Sequence, residues 1–258
     1  MEMNLNLHIT KGDLYKSESQ KSRVVSEAWA EENAFCCICG GNLAKTPNNS
    51  QVLDLVCLNR AAGFELKSAR SALSKKVPDG AFQSMMSRLK DTDSPTFFFM
   101  TYSPLSCCVT NFFAVPSFFL DPTVIEKRKP LAPTARRAGW IGCNIVLERV
   151  SEIGKIFYVK NSDVSDKETV LKRWQRTTFL KNENNLEARG WTLAVLRAIE
   201  SLRSREFTLA QLYELEPQLR LLFPRNRFIR EKIRQQLQVL RDAGLIVFEG
   251  RGHYRMAA

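Results

Sequence analysis

The sequence predicts an α/β protein in two parts: an α/β sandwich on a mixed central sheet over residues 1–182, then a winged-helix domain over residues 183–258. Three observations predict this. The first part alternates helix, strand, strand, helix, strand, and its later strands read as buried. Near residue 183 the pattern changes to three amphipathic helices followed by a two-strand hairpin. Finally, a hydrophobic content of 44% over 258 residues suffices for packed cores in one large or two modest domains.

The elements follow in order. Val24, Val25, Ala28 and Trp29 make an apolar stripe at helical spacing, which predicts a helix from about Ser17 to Glu32. Gly40, Gly41, Pro47 and Asn48–Asn49 then mark a turn-rich segment. The run Q-V-L-D-L-V-C-L-N-R-A-A-G-F-E-L-K-S, residues 51–68, reads as two strands. Pro78-Asp79-Gly80 reads as a turn opening a helix that continues to about Lys90, with Phe82, Met85, Met86 and Leu89 inward. Thr96–Tyr102, Thr110–Val115 and Lys155–Lys160 read as further strands, Asp166–Leu180 as a basic helix, and Lys181–Glu187 as a polar linker.

In the tail, Trp191, Val195, Leu196, Ile199 and Leu202 have helical spacing. Thr208 with Gln211 three residues later offers a capping box for a second helix that ends near Pro217. A third helix is predicted over about Asn226–Asp242, stopped by Gly244. Residues 245–256 then read as a hairpin around Gly250-Arg251-Gly252.

The chemistry starts with Asp54, which interrupts an apolar strand. Val52 and Val56 share its face, and Leu53, Leu55 and Cys57 take the other. A carboxylate there is costly to bury without a partner or a metal. Glu65 and Lys67 are two apart on the next strand and point to one side, while Phe64 and Leu66 point to the opposite core. Two carboxylates and an ammonium converging in this way suit a Mg²⁺ site with a positioned water, able to cut a phosphodiester.

The net charge of +11 points to a polyanionic partner, nucleic acid first. Apolar runs around Phe97–Met100 and Phe112–Leu120 are broken by Pro104, Asn111 and Pro116, so no membrane span is expected. The start M-E-M-N-L-N-L-H lacks the build of a signal peptide, which predicts a cytoplasmic protein, taken as a monomer in solution. In the third tail helix, Ile229, Ile233, Leu237 and Leu240 form a core stripe. Arg227, Arg230, Arg234 and Arg241 run beside it, with Gln235, Gln236 and Gln238 nearby. In a helix-turn-helix arrangement this helix enters the major groove, and Arg251, His253 and Arg255 of the hairpin suit phosphate contacts.

Seven cysteines without a secretory signal are not a disulfide framework, and Cys107 and Cys108 read as core residues. Cys36, Cys39 and Cys57 are candidate Zn²⁺ ligands, but the position three after Cys57 is Arg60, so the set lacks its fourth member and zinc stays open. The segment R-K-P-L-A-P-T-A-R-R-A-G-W-I-G-C-N-I, residues 128–145, carries Arg136 and Arg137 suited to phosphates. Its Trp140 is either an exposed flat surface or a core ring.

That segment, together with E-K-I-R-Q-Q-L-Q-V-L-R-D at 231–242 and F-F-F-M-T-Y at 97–102, resembles the DpnI family of methyl-directed restriction endonucleases, which includes the Dam-replacing proteins. The resemblance covers nearly the whole chain. It implies a type IIM enzyme that cleaves double-stranded DNA at GATC when the adenine carries an N6-methyl group. It also implies a PD-(D/E)XK nuclease domain followed by a winged helix that itself reads the site. Asp54, Glu65 and Lys67 fall where the family places its catalytic residues, which implies Mg²⁺ on Asp54, Glu65 and the carbonyl of Leu66. Trp140 is then expected to meet the methyl group, and Arg227, Arg230, Arg234, Gln235 and Arg251 to meet the DNA. Two positions depart from the pattern: Leu53 stands where the family has Pro, and Arg60 leaves the second Cys-x-x-Cys incomplete. The rival function is a winged-helix DNA-binding regulator with a degenerate nuclease fold.

Overall fold

A computed structural model describes residues 3–46, 53–91, 93–183 and 185–257. In chain order the elements are α1 (Glu18–Asn33), β1 (Leu43–Lys45), β2 (Leu55–Cys57), β3 (Gly63–Arg70), β4 (Lys76–Ala81), α2 (Phe82–Arg88), β5 (Thr96–Ser103), β6 (Cys108–Val115), β7 (Ile125–Lys127) and β8 (Gly142–Val146). There follow β9 (Ile156–Lys160), β10 (Asp163–Val164), α3 (Lys167–Thr177), α4 (Leu186–Ser201), β11 (Glu206–Thr208), α5 (Leu209–Glu214), α6 (Glu216–Leu222), α7 (Ile229–Asp242), β12 (Ile246–Gly250) and β13 (His253–Met256). The chain forms two compact units, Met1–Asp79 with Asp93–Ser117 and Ile153–Thr177, and Gly80–Thr92 with Phe118–Glu152 and Thr178–Ala258.

The first unit is built on a seven-stranded sheet in the order β1-β2-β3-β5-β6-β9-β10. Every pairing described in it is antiparallel except β3 with β5, so the sheet is mixed, as expected, and mostly antiparallel. Strand β5 is buried from Thr96 to Tyr102, which is why Phe97-Phe98-Phe99 shows no polar alternation. Its ring faces separate the two sides of the sheet. Phe98 stacks on Phe64 at 4.6 Å and packs against Phe112 and Tyr158. Phe99 stacks on Phe113 at 5.3 Å on the other side. Helix α1 seals the Phe112 side: Trp29 meets Phe112 edge-on at 5.2 Å, and its ring N–H donates to the carbonyl of Asn4 at 2.8 Å.

The second unit holds the antiparallel pair β7–β8 and a three-stranded sheet in the order β11-β13-β12. Helices α4 to α7 with β11–β13 realise the winged-helix order. Thr208 caps α5 through the expected capping box with Gln211. Ile229, Ile233, Leu237 and Leu240 are buried. Gly244 takes φ +70 and ends α7, a conformation an L side chain adopts only at a cost.

Several expectations are corrected. Pro78-Asp79-Gly80 lies inside strand β4, and α2 begins only at Phe82 behind an extended Ala81. Proline restricts Val77 before it to extended backbone, and Val77 is buried, which extends the strand where a turn was predicted. Asp54 lies one residue before β2, not inside it. Helix α7 starts at Ile229, so Arg227 sits in the preceding loop and not on the helix stripe. The second tail helix is two, α5 and α6, with Pro217 in the first turn of α6 where its missing N–H does no harm. Strand β11, unforeseen, pairs with β13 from Glu206–Arg255 to Thr208–His253. Gln236 is buried and accepts a hydrogen bond from Thr192 Oγ1 at 2.6 Å, so it belongs to the core. Cys107 and Cys108 are half-exposed at the β5–β6 connection, with Cys107 at φ +51. The predicted turn residues Pro47 and Asn48–Asn49, and Val52 beside Asp54, lie outside the described residues.

Candidate functional site

The acidic site stands where β2 meets β3. Leu55 pairs with Phe64, so extending the register one step sets Asp54 opposite Glu65. Asp54 Oδ2 accepts the backbone N–H of Leu66 at 2.8 Å, and Oδ1 accepts from Arg23 Nη2 at 3.3 Å. Glu65 and Lys67 share the face of β3 that pairs with Phe97 and Phe99. Lys67 Nζ lies 2.6 Å from Glu65 Oε1 and 2.5 Å from Asp79 Oδ1. These side chains are sheltered: Asp54 is 18% exposed, Glu65 12%, Lys67 20% and Asp79 3%. Burial alone would push the Lys67 ammonium down, but the Glu65 and Asp79 carboxylates outweigh it and raise its pKa. Lys67 is therefore charged at neutral pH.

The structure thus brings the predicted trio together and adds two residues the sequence did not single out. Asp79 hides in a Pro-Asp-Gly run that reads equally well as a turn. Arg23 lies on the polar side of α1, also bound to Glu27 at 2.5 Å, and nothing in sequence marks it. The donor chemistry fits a hard divalent cation: two sheltered carboxylates on adjoining strands, plus the Leu66 carbonyl, which projects to the same strand edge as the N–H that reaches Asp54.

A second cluster sits one strand-length away along β2. Cys36, Cys39 and Cys57 have sulfurs all within 4.8 Å of one another, the one such group of His, Cys, Asp or Glu among the described residues. Two tight loops present them. Gly40 N donates to the Cys36 carbonyl and Cys36 N to that of Gly41; Ala61 N donates to the Cys57 carbonyl and Cys57 N to that of Ala62. Burial pushes the Cys36 thiol up to about 12. Burial acts the same way on Cys57, but the backbone N–H of Asn59 and the Cys39 thiol, 3.6 Å away, outweigh it and lower its pKa. Arg60, where a fourth cysteine would complete the second loop, is exposed. The set offers three corners of a tetrahedral thiolate site.

The basic surfaces lie in the second unit. Beyond β7 and β8 the hairpin continues, with Arg128 N bonding to the Gly142 carbonyl and Leu131 N to that of Trp140. Exposed Arg136 and Arg137 stand at its tip. Trp140 is neither fully exposed nor core. Its ring rests against Gly142, where any Cβ would come within 2.8 Å, and the Arg137 guanidinium lies over it at 4.4 Å.

On α7, Arg230, Arg234 and Gln235 are exposed. Arg230 Nε bonds Glu216 at 2.8 Å, and Arg234 Nη1 bonds the Tyr213 hydroxyl at 2.9 Å. Surface contacts of this kind are weak, because water and salt screen them. Phe228, 69% exposed at the start of α7 beside Arg227, was not anticipated. Arg251 sits at the hairpin tip at φ +49 between Gly250 and Gly252, which places its guanidinium in solvent.

No described helix is long and apolar enough to cross a membrane. Comparison with known families finds that a model described as the Dam-replacing family matches residues 1–183, and one described as the Dam-replacing HTH domain matches residues 187–256.

Proposed function

The chain belongs to the DpnI, or Dam-replacing, family, and from that premise we propose that it is a Mg²⁺-dependent endonuclease cutting double-stranded DNA at GATC sites whose adenine is N6-methylated. The family is one of restriction endonucleases, and its second module is a DNA-binding helix-turn-helix domain. The observation that carries the reading is the grouping of Asp54, Glu65 and Lys67 on adjoining strands. A PD-(D/E)XK nuclease core is the fold this grouping fits, and residues 1–182 and 183–258 are its nuclease and DNA-reading parts.

Asp54 and Glu65, with the Leu66 carbonyl, would hold Mg²⁺. When bound, the ion supplies positive charge at the scissile phosphate and makes water a stronger acid. Asp54 must first release Arg23, whose side chain is 66% exposed and keeps Glu27 as a partner. Lys67 orients the attacking water and offers a fixed positive charge to the phosphate as negative charge builds there. Arg136, Arg137, Arg227, Arg230, Arg234, Gln235 and Arg251 contact DNA, and Trp140 offers apolar surface to the methyl group. The expected result is that, with Mg²⁺, the protein cuts a plasmid carrying N6-methyladenine and leaves the same plasmid without methylation intact. If neither plasmid is cut, the winged-helix regulator replaces this reading.

Cys36, Cys39 and Cys57 are proposed to hold a structural Zn²⁺, with a fourth ligand from outside the cysteine set. Strand β2 carries Cys57 at its end and follows directly on Asp54, so an ion there would stiffen the strand behind the acidic site. Metal analysis of the purified protein is expected to give about one zinc per chain, and stripping it to lower Tm by several degrees. Less than a tenth of an equivalent of zinc, with Tm indifferent to chelator, would leave a plain thiol cluster.

A further inference from the structure

We propose that Asp79 is a positioning residue that holds the Lys67 ammonium in place when Glu65 is drawn away to a cation; the inference rests on the nuclease reading above. Lys67 Nζ is shared between Glu65 at 2.6 Å and Asp79 at 2.5 Å. If Glu65 turns its charge to a divalent cation, its hold on Lys67 weakens. Asp79 is then the carboxylate still in contact with the ammonium.

Three features mark Asp79 for this task. Its side chain is 3% exposed, against 12% for Glu65, so its contact with Lys67 is shielded from water and salt. A carboxylate buried that deeply requires a cation or several donors, and Lys67 lies in direct contact. Its backbone is also firm. It lies inside β4, behind Pro78, with Val77 buried two residues before it. Helix capping does not account for it, because α2 is preceded by Ala81 and has no side-chain cap.

The arrangement divides the labour among three acids. Asp54 and Glu65 are placed to take the ion, and Asp79 to hold the lysine between ion and phosphate. Without Asp79, Lys67 would follow Glu65 or swing toward solvent. A displacement of about 1 Å at such a group costs a rate factor on the order of 100.

The test uses the full-length protein and a short methylated duplex. Single-turnover cleavage is measured in Mg²⁺, and duplex affinity in Ca²⁺. Asp79→Asn is expected to cut about 10- to 100-fold more slowly, with affinity within about twofold of wild type, and Asp79→Glu to fall between the two. Adding Asp79→Asn to Lys67→Ala is expected to cost nothing further, since one residue acts through the other. Rates within twofold of wild type for both Asp79 variants overturn the proposal. So does a double variant whose loss is the product of the single losses. An Asp79→Asn chain that no longer folds, beside an Asp79→Glu chain cutting at the wild-type rate, also overturns it, because the carboxylate would then serve the fold alone. A wild-type protein that cuts no duplex removes the nuclease reading and this inference together; a wild-type protein that cuts, with unaffected variants, removes the inference alone.

Discussion

Asp54→Ala and Lys67→Ala are each expected to bind methylated duplex about as well as wild type and to cut it on the order of 10²- to 10³-fold more slowly, a barrier increase of about 3–4 kcal/mol. Asp54 is one of the two carboxylates proposed to hold the ion, and without it the remaining proposed donors are Glu65 and a carbonyl. Lys67 supplies a charge that matters as the phosphate gains negative charge, so its loss acts on rate and not on affinity. The basic surface that attracts DNA lies on other residues, so binding measured in Ca²⁺ should survive both changes.

The two variants should differ in stability. Asp54 loses a bond to an exposed arginine and one backbone N–H, so Asp54→Ala should fold with a nearly unchanged Tm. Lys67→Ala leaves Glu65 and Asp79, 12% and 3% exposed, without the ammonium between them. Such a removal is more damaging than replacing a pair outright, and its Tm should drop by several degrees. Wild-type cutting by either variant would end the assignment of that residue.

The strands and tail helices were legible where burial leaves a periodic trace. Phe97-Phe98-Phe99 announces a strand covered on both faces, and Ile229, Ile233, Leu237 and Leu240 announce the inner face of α7. Gln236 shows how polarity misleads. It lies three residues after Ile233 and four before Leu240, so its spacing put it inward, and Thr192 supplies the partner that makes burial tolerable. Strand β11 is three residues long, too short for alternation to appear.

Within the acidic site, Glu65 and Lys67 were legible because period-two spacing puts neighbours-but-one on one face. Asp79 was not. Its strand is long-range in origin, formed by contacts that Pro-Asp-Gly does not encode locally. The half-covered state of Trp140 was equally illegible, since it depends on Arg137 folding back along a loop, a choice no spacing rule makes.

Trp140→Ala is expected to reduce the preference for methylated over unmethylated GATC while leaving cleavage chemistry intact. Methylation of adenine N6 adds an apolar group in the major groove, and only an apolar surface gains from it. Burying one methyl contributes about 0.8 kcal/mol. That is roughly 4-fold for one methyl group and roughly 15-fold for both methyls of a palindromic site, if the ring or its surroundings serve each. In the unbound protein the Arg137 guanidinium covers the ring at 4.4 Å. Backbone phosphates give a guanidinium a stronger partner than a ring does, so on the proposed reading DNA would both uncover the indole and anchor the loop that carries it. Gly142 keeps the ring seated from below, where a Cβ would collide. Trp140→Phe retains a flat apolar face and should keep most of the preference; Trp140→Ala should bring the ratio of rates on the two substrates down by the factors above. An unchanged ratio in Trp140→Ala, with cleavage still rapid on methylated DNA, would mean that the methyl group is read elsewhere, and exposed Phe228 beside Arg227 would be the next surface to test.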